Sequence, residues 1–421
     1  MSAPRVERLP RELTVVGLWL IAINGMIGAG IFGLPAEAAR LAGPLSPWIF
    51  VLCAALMLPI VLCYAALARR FTATGGPVLY AGTAFGPLAG FQAGWMFYIA
   101  RLTAFSANAS LLVATLGHFW PTATDPEPRA LLLAFVIGLF TLANVLGTRR
   151  AIGTLGALTL LKFLPLLGLV ALGLHALPAG VLGALTAGTD SLDGLDLGAA
   201  TVLVFYAYVG FESGVVPAGE AKDPQRDLPR ALFWALGVAS LLYALLQAVS
   251  VATLPGLATS ARPMVDLGGA LLGEVGAAIV VLGVIVSVGG NLAGSMLSTP
   301  RITYSLANEG SLPAWFGGVH ERFGTPARSI LFYGLVGLLL AIAGSFVYLA
   351  VLSVLTRVLL YALCCASLPK LGGSLPLAGV ALAVCAWLLT QVKPEAWLAT
   401  AAFVAVGVGM YALARRAARL R

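Results

Sequence analysis

Charge is scarce in this sequence. Of 421 residues only 10% are Asp, Glu, Lys or Arg, where a soluble domain carries about 25%. That shortage excludes a water-soluble enzyme, a nucleic-acid binder and a disordered chain. Three histidines, His118, His175 and His320, stand at segment ends or in a loop and form no ligand cluster. Five cysteines, Cys53, Cys63, Cys364, Cys365 and Cys385, all lie inside apolar runs. Their number is odd and no pair has metal-ligand spacing, so neither a disulfide framework nor a bound metal is expected, and no cofactor motif is present. No G-x-x-x-x-G-K-[ST] loop occurs, which excludes direct ATP coupling by this chain. No Ser–His, Cys–His or His-rich constellation falls within the apolar runs, which argues against an intramembrane enzyme. The longest connections, near 177–195 and 301–326, are too short to fold alone.

What is abundant is apolar sequence: 60% of residues are hydrophobic and the mean hydropathy is +0.97. A helix needs about 20 apolar residues to cross the hydrocarbon core. By that measure the chain holds about twelve spans, at roughly 13–34, 45–68, 88–117, 129–147, 152–176, 195–217, 228–254, 272–300, 327–344, 346–367, 376–392 and 395–414. With the N-terminus inside, alternate connections hold eighteen lysines and arginines on one side and only Arg40, Arg129, Arg262 and Lys393 on the other. Arg101, Lys162 and Arg357 remain within spans. This asymmetry predicts cytoplasmic N- and C-termini and accounts for the net charge of +8 through basic loops at the inner, lipid-headgroup face. The expectation is an all-α integral membrane protein of a plasma membrane, here a bacterial inner membrane.

Two spans are interrupted. The first contains Gly25, Gly28 and Gly30 at mid-depth, followed by Gly33 and Pro35. Clustered glycines there mean either close helix packing or an unwound segment. The sixth span repeats the pattern: Gly210 and Gly214 break its middle, Pro217 follows, and Glu212 lies beside the break. Span six stands five positions after span one, the spacing of two five-helix repeats of opposite topology. Broken backbone at that depth must line a cavity or be buried in protein. Half-helix N-termini can hold a carboxylate and freed carbonyls an ammonium, which fits a zwitterionic amino acid.

Several stretches, in order over roughly residues 12–370, resemble the amino acid–polyamine–organocation (APC) permease superfamily. They are Ile27-Gly28-Ala29-Gly30-Ile31-Phe32, Gly75-Gly76-Pro77-Val78-Leu79-Tyr80 followed by Phe85-Gly86 as the loop into the third helix, Phe205 to Glu212, Glu220 to Ala231, and the run from Pro300-Arg301 to Gly324-Thr325-Pro326. The resemblance implies secondary transport of amino acids or related amines on a LeuT-type five-plus-five inverted repeat, with helices 1 and 6 unwound near Ile27–Gly30 and Ala207–Gly210. The organisation then reads as a cytoplasmic N-terminus at 1–12 and a core at 13–367 with repeats at about 13–176 and 195–367. Two peripheral helices follow at 376–414, with a basic cytoplasmic C-terminus at 415–421.

The resemblance also implies site residues. The substrate carboxylate is expected at the N–H groups of Ile27, Gly28, Ala29 and Gly30, and the ammonium at carbonyls around Tyr206, Ala207, Val209 and Gly210. Ala29 stands where many members carry a hydroxyl. Tyr206 falls at the gating aromatic. Asn291 replaces the tryptophan of arginine/agmatine exchangers, which points to a neutral L-amino acid. Lys162, too deep to snorkel, resembles the fifth-helix lysine of proton-coupled members. Glu212 is read as proton-linked or as a permanent acceptor of nearby N–H groups. Proton coupling is thus assigned to Lys162 and Glu212; Arg101 and Arg357 are read as forming ion pairs or reaching an internal aqueous cavity, chiefly in structural roles. Asn108-Ala109-Ser110 matches a glycosylation pattern but lies within a span and is read as chance. The expected partners are a small-molecule amino acid, protons and membrane lipid, not nucleic acid; homo-oligomerisation and exchange instead of proton symport stay open.

Overall fold

The computed structural model describes residues 11–71, 75–147, 161–176 and 194–419. The expected start of the fifth span at 152–160 and most of the 177–195 connection lie outside them. The helices are α1 Val15–Met26, α2 Gly30–Ala42, α3 Ser46–Ala68, α4 Pro77–Phe85, α5 Pro87–Leu116, α6 Pro126–Val145, α7 Phe163–Ala176, α8 Leu197–Tyr208, α9 Pro224–Thr253, α10 Pro263–Ser298, α11 Pro300–Asn308, α12 Ala327–Ala343, α13 Phe346–Lys370, α14 Leu375–Thr390 and α15 Pro394–Arg419. Eight helical segments among the described residues are long and apolar enough to cross a membrane, and α1, α7, α12 and α14 are shorter apolar helices.

The local chemistry sets where these helices begin. Proline opens α4, α5, α6, α9, α10, α11 and α15, where its missing N–H costs no hydrogen bond. Side-chain caps serve others: Asp196 accepts from the Ala199 N–H, Asp223 from Arg226, Ser345 from Tyr348 and Ser374 from Leu377. Lipid offers no replacement partner for backbone groups, so helices satisfy them internally. The only β-pairing among the described residues is a bridge from Leu13 to Ala221, which ties the chain ahead of α1 to the loop that follows the sixth span.

The interior gathers around α5 and α13. The most apolar windows of these helices are 78% and 72% buried, against 11% and 17% for α6 and α15, which places the latter pair at the rim. Their outward side chains, such as Leu131, Phe135 and Leu398, form an exposed apolar surface. Helix α5 runs antiparallel to α10, since Arg101 reaches Ser298 and Thr299 while Asn108, seven residues on, reaches Asn291. All five cysteines are free and buried.

Three features differ from the sequence-based expectation. Residues 77–85, taken as a loop, form α4, because Gly86 turns the chain at φ +93° and lets α4 lie against the start of α5. The eighth span begins at Pro263 rather than 272, with a bend at Gly273 (φ +63°). The break in the sixth span begins later than Ala207: α8 continues through Tyr208 and unwinds at Val209 and Gly210 (φ +109°). Beyond it only short 3-10 turns, Phe211–Gly214 and Ala218–Glu220, precede α9.

Candidate functional site

The two breaks face each other. Helix α1 ends at Met26 and α2 begins at Gly30, leaving Ile27–Ala29 unwound. Gly25 touches Gly210 so closely that a Cβ on either would overlap the other's carbonyl, and a Cβ on Gly30 would come within 2.9 Å of Ala207 Cα. Close approach of two backbones is what these glycines make available.

Three carbonyls freed by the first break, those of Asn24, Met26 and Ile27, have found side-chain donors. Lys162 Nζ, on the turn before α7, donates to Asn24 O at 3.2 Å, Asn24 Oδ1 at 2.5 Å and Ile27 O at 2.8 Å. The Tyr243 hydroxyl donates to Met26 O at 3.1 Å. An ammonium has three donors and no acceptor, so it suits three converging oxygens. Lys162 is buried, and no carboxylate pairs with it among the described residues. On the other side of the break, α2 starts without a side-chain cap, because Ala29 has no hydroxyl to offer.

A cavity of about 280 Å³ opens between the breaks. Gly28, Ala29 and Gly30 form one wall, Val209, Gly210 and Ser213 another, and Asn108, Asn291 and Ser295 a third. A cavity of about 150 Å³ holds benzene, so this one has room for a single small metabolite. Toward the α1 N-terminal side its lining continues through Ile21, Phe97, Arg101, Val216, Ser298 and Ile302. At its other end Asn108 Nδ2 donates to Asn291 Oδ1 at 2.8 Å, and the Tyr206 hydroxyl donates to Asn108 Oδ1 at 3.2 Å. The Tyr206 ring meets Phe346 edge-on at 6.1 Å, which closes that end.

Of the expected contact residues, Gly28, Ala29, Gly30, Tyr206, Val209, Gly210 and Asn291 line this cavity. Ile27 and Ala207 do not. Ile27 is fully buried with its carbonyl turned to Lys162, and Ala207 is packed against Gly30. Asn108, read from sequence as a chance glycosylation pattern, sits in the cavity wall; its signal was an amide within a membrane span, one of several polar residues on α5. Asn24 and Ser213 were also missed, being placed only by the folding of the breaks.

Glu212 is fully buried and its oxygens are taken. Arg357 Nε donates to Oε1 at 2.8 Å, the Tyr361 hydroxyl to Oε2 at 2.8 Å, and the Gly210 N–H to Oε2 at 2.9 Å. Arg357 comes from α13 and also donates to Ala100 O and Ser353 Oγ. Arg101, half-buried on α5, donates from Nε to Thr299 Oγ1 at 2.8 Å, from Nη1 to Ser213 Oγ at 3.0 Å and from Nη2 to Ser298 Oγ at 3.0 Å.

The model of a family described as amino acid permease matches residues 13–413. Among similar proteins, the cadaverine/lysine antiporter of Escherichia coli (strain K12) is 28% identical over 316 residues, covering 74% of this chain and 70% of that one. An uncharacterized transporter of Mycobacterium tuberculosis is 28% identical over 347 residues, covering 78% and 73%. The vacuolar cationic amino acid transporter 4 of Arabidopsis thaliana is 29% identical over 417 residues, covering 92% and 65%.

Proposed function

Since the chain belongs to the amino acid permease family, it is an integral membrane transporter of amino acid type and not an enzyme, and we propose that it carries a neutral L-amino acid by alternating access, driven by protons and independent of sodium. The observation that carries this reading is the pair of facing breaks with Lys162 Nζ bonded into the first of them.

The substrate carboxylate meets the uncapped start of α2 at Gly28, Ala29 and Gly30, where N–H groups and the helix dipole favour an anion. Its ammonium meets the last carbonyls of α8 before Val209, which have no helical partner. Tyr206 covers the ligand and Asn291 lines its side-chain end. Ile27 and Ala207 shape the site through their backbones. No Asp or Glu is among the described lining residues, and Glu212 is held by Arg357. A cationic side chain would therefore find no counter-charge, which favours a neutral one.

Lys162 serves as a built-in cation in place of sodium, and its proton is the coupled one; Glu212 is the reserve candidate. The core is a LeuT-type five-plus-five repeat of ten spans, with α14 and α15 outside it making twelve, the termini cytoplasmic, in a bacterial inner membrane. In that orientation the cavity faces inward. The name of the Escherichia coli relative favours a second reading, exchange of an amino acid against an amine without net proton movement.

Proteoliposomes separate the two. A thermal-shift screen against the amino acids first identifies the ligand, since a ligand that binds the folded state raises its stability. Lys162→Ala is then expected to lose accumulation driven by a pH gradient while retaining part of the exchange at equal pH. Unchanged pH-driven accumulation removes Lys162 from the mechanism and transfers the role to Glu212.

A further inference from the structure

The charges around the two breaks do not balance. The described residues there supply three cations, Lys162, Arg357 and Arg101, and one carboxylate, Glu212. Lys162 is committed to the carbonyls of Asn24 and Ile27 and Arg357 to Glu212. Arg101 is left over. No carboxylate lies within ion-pairing distance of it among the described residues. Its partners are three hydroxyls, of Thr299, Ser213 and Ser298.

Hydroxyls orient a guanidinium without cancelling its charge. These three come from different walls, Ser213 from the stretch after the second break and Ser298 and Thr299 from the end of α10, so the head group is held where those walls meet. Phe97 adds a ring face 5.7 Å from the guanidinium carbon. Cavity lining lies on either side of this position: Asn108, Gly28 and Asn291 toward the breaks, Val216, Pro217 and Ile302 away from them. A ligand passing between the breaks and the Ile302 end must pass the guanidinium. Repulsion between like charges across a few ångströms of partly desolvated cavity is worth a tenfold or larger change in binding, about 1.4 kcal/mol or more.

The geometry points to Arg101 as the residue that selects substrates by charge: it admits amino acids with uncharged side chains and turns away lysine-like side chains and diamines. This rests on the neutral-substrate reading above. It goes beyond that reading by moving discrimination away from the breaks to a residue on α5 that need not touch the substrate backbone.

The test uses the full-length protein in proteoliposomes and a radiolabelled neutral amino acid, L-alanine or L-leucine, whichever the native protein accumulates. Competitors are L-lysine, its uncharged analogue L-norleucine, and cadaverine. For the native protein, norleucine is expected to compete and lysine and cadaverine to fail. In Arg101→Gln the ratio of lysine to norleucine inhibition is expected to rise at least about tenfold. Arg101→Lys keeps the charge while disturbing the three hydroxyl bonds, and is expected to keep the exclusion; a purely structural role for Arg101 predicts that Lys and Gln behave alike. An unchanged ratio in Arg101→Gln overturns the inference, as does loss of exclusion in Arg101→Lys. If Arg101→Gln does not fold, the native comparison still decides, because lysine competing as well as norleucine overturns it. Accumulation of L-glutamate in preference to both neutral probes refutes the neutral-substrate reading alone; loss of that preference in Arg101→Gln then upholds charge selection at this residue.

Discussion

Glu212 and Arg357 meet in the protein interior, with 0% and 4% of their side chains exposed. Taking two charges out of water is costly, and the pair holds because each finds more than the other: Tyr361 and the Gly210 N–H complete the carboxylate, Ala100 O and Ser353 the guanidinium. Removing one member strands the other. Arg357→Met is expected to cost about 3–5 kcal/mol, read as a lower unfolding temperature in detergent. The double variant Glu212→Gln with Arg357→Met is expected to recover a large part of that loss, since it leaves no uncompensated charge. Equal unfolding temperatures for the single and double variants would mean that the pair is not coupled. The same pairing explains why Glu212 could be read from sequence in two ways: an acidic residue beside a break is visible in the chain, but a partner 145 positions away is not.

Among elements, the two breaks depend on each other. Gly25 and Gly210 are in backbone contact, so a methyl group on either pushes the unwound segments apart. Overpacking of this kind costs about 1–3 kcal/mol. Gly25→Ala is accordingly expected to give a folded protein with strongly reduced uptake, checked by initial rates alongside a thermal-unfolding curve; native rates would mean that the contact is dispensable. The glycines were legible because three within six residues of an apolar span mean close packing or unwinding, and here Gly25 and Gly30 pack closely while Ile27–Ala29 is unwound. Lys162 was legible too, since a lysine at that depth needs oxygens and an unwound stretch supplies them. Less could be read of the sixth span, where apolar sequence continues past Val209 although α-helix does not. Gly210, Gly214 and Pro217 mark a break without fixing where the helix stops, and the positive φ of Gly210 is a property of the folded chain. Asn108 escaped a site reading, and Arg101 could be given no partners, because both sit in a regular helix and acquire their meaning only from antiparallel α10.

At the scale of the molecule, α6 and α15 stand exposed at the rim while α5 and α13 fill the centre, and the cavity runs from the paired breaks along α5 toward the α1 N-terminal side. If that side is cytoplasmic, water-borne reagents reach Ile302 from inside only. The sulfur distribution makes this simple to ask. Every cysteine is enclosed, with 0% or 1% of its surface exposed, so the native protein should stay silent toward membrane-impermeant maleimides. A cysteine introduced at Ile302 then reports alone, without first stripping five thiols from a packed core. Ile302→Cys is expected to react in inside-out vesicles and to stay unmodified in right-side-out vesicles; the opposite pattern would invert the assigned topology. Thiols buried for packing thus leave a chemically blank surface on which one added sulfur maps the aqueous path.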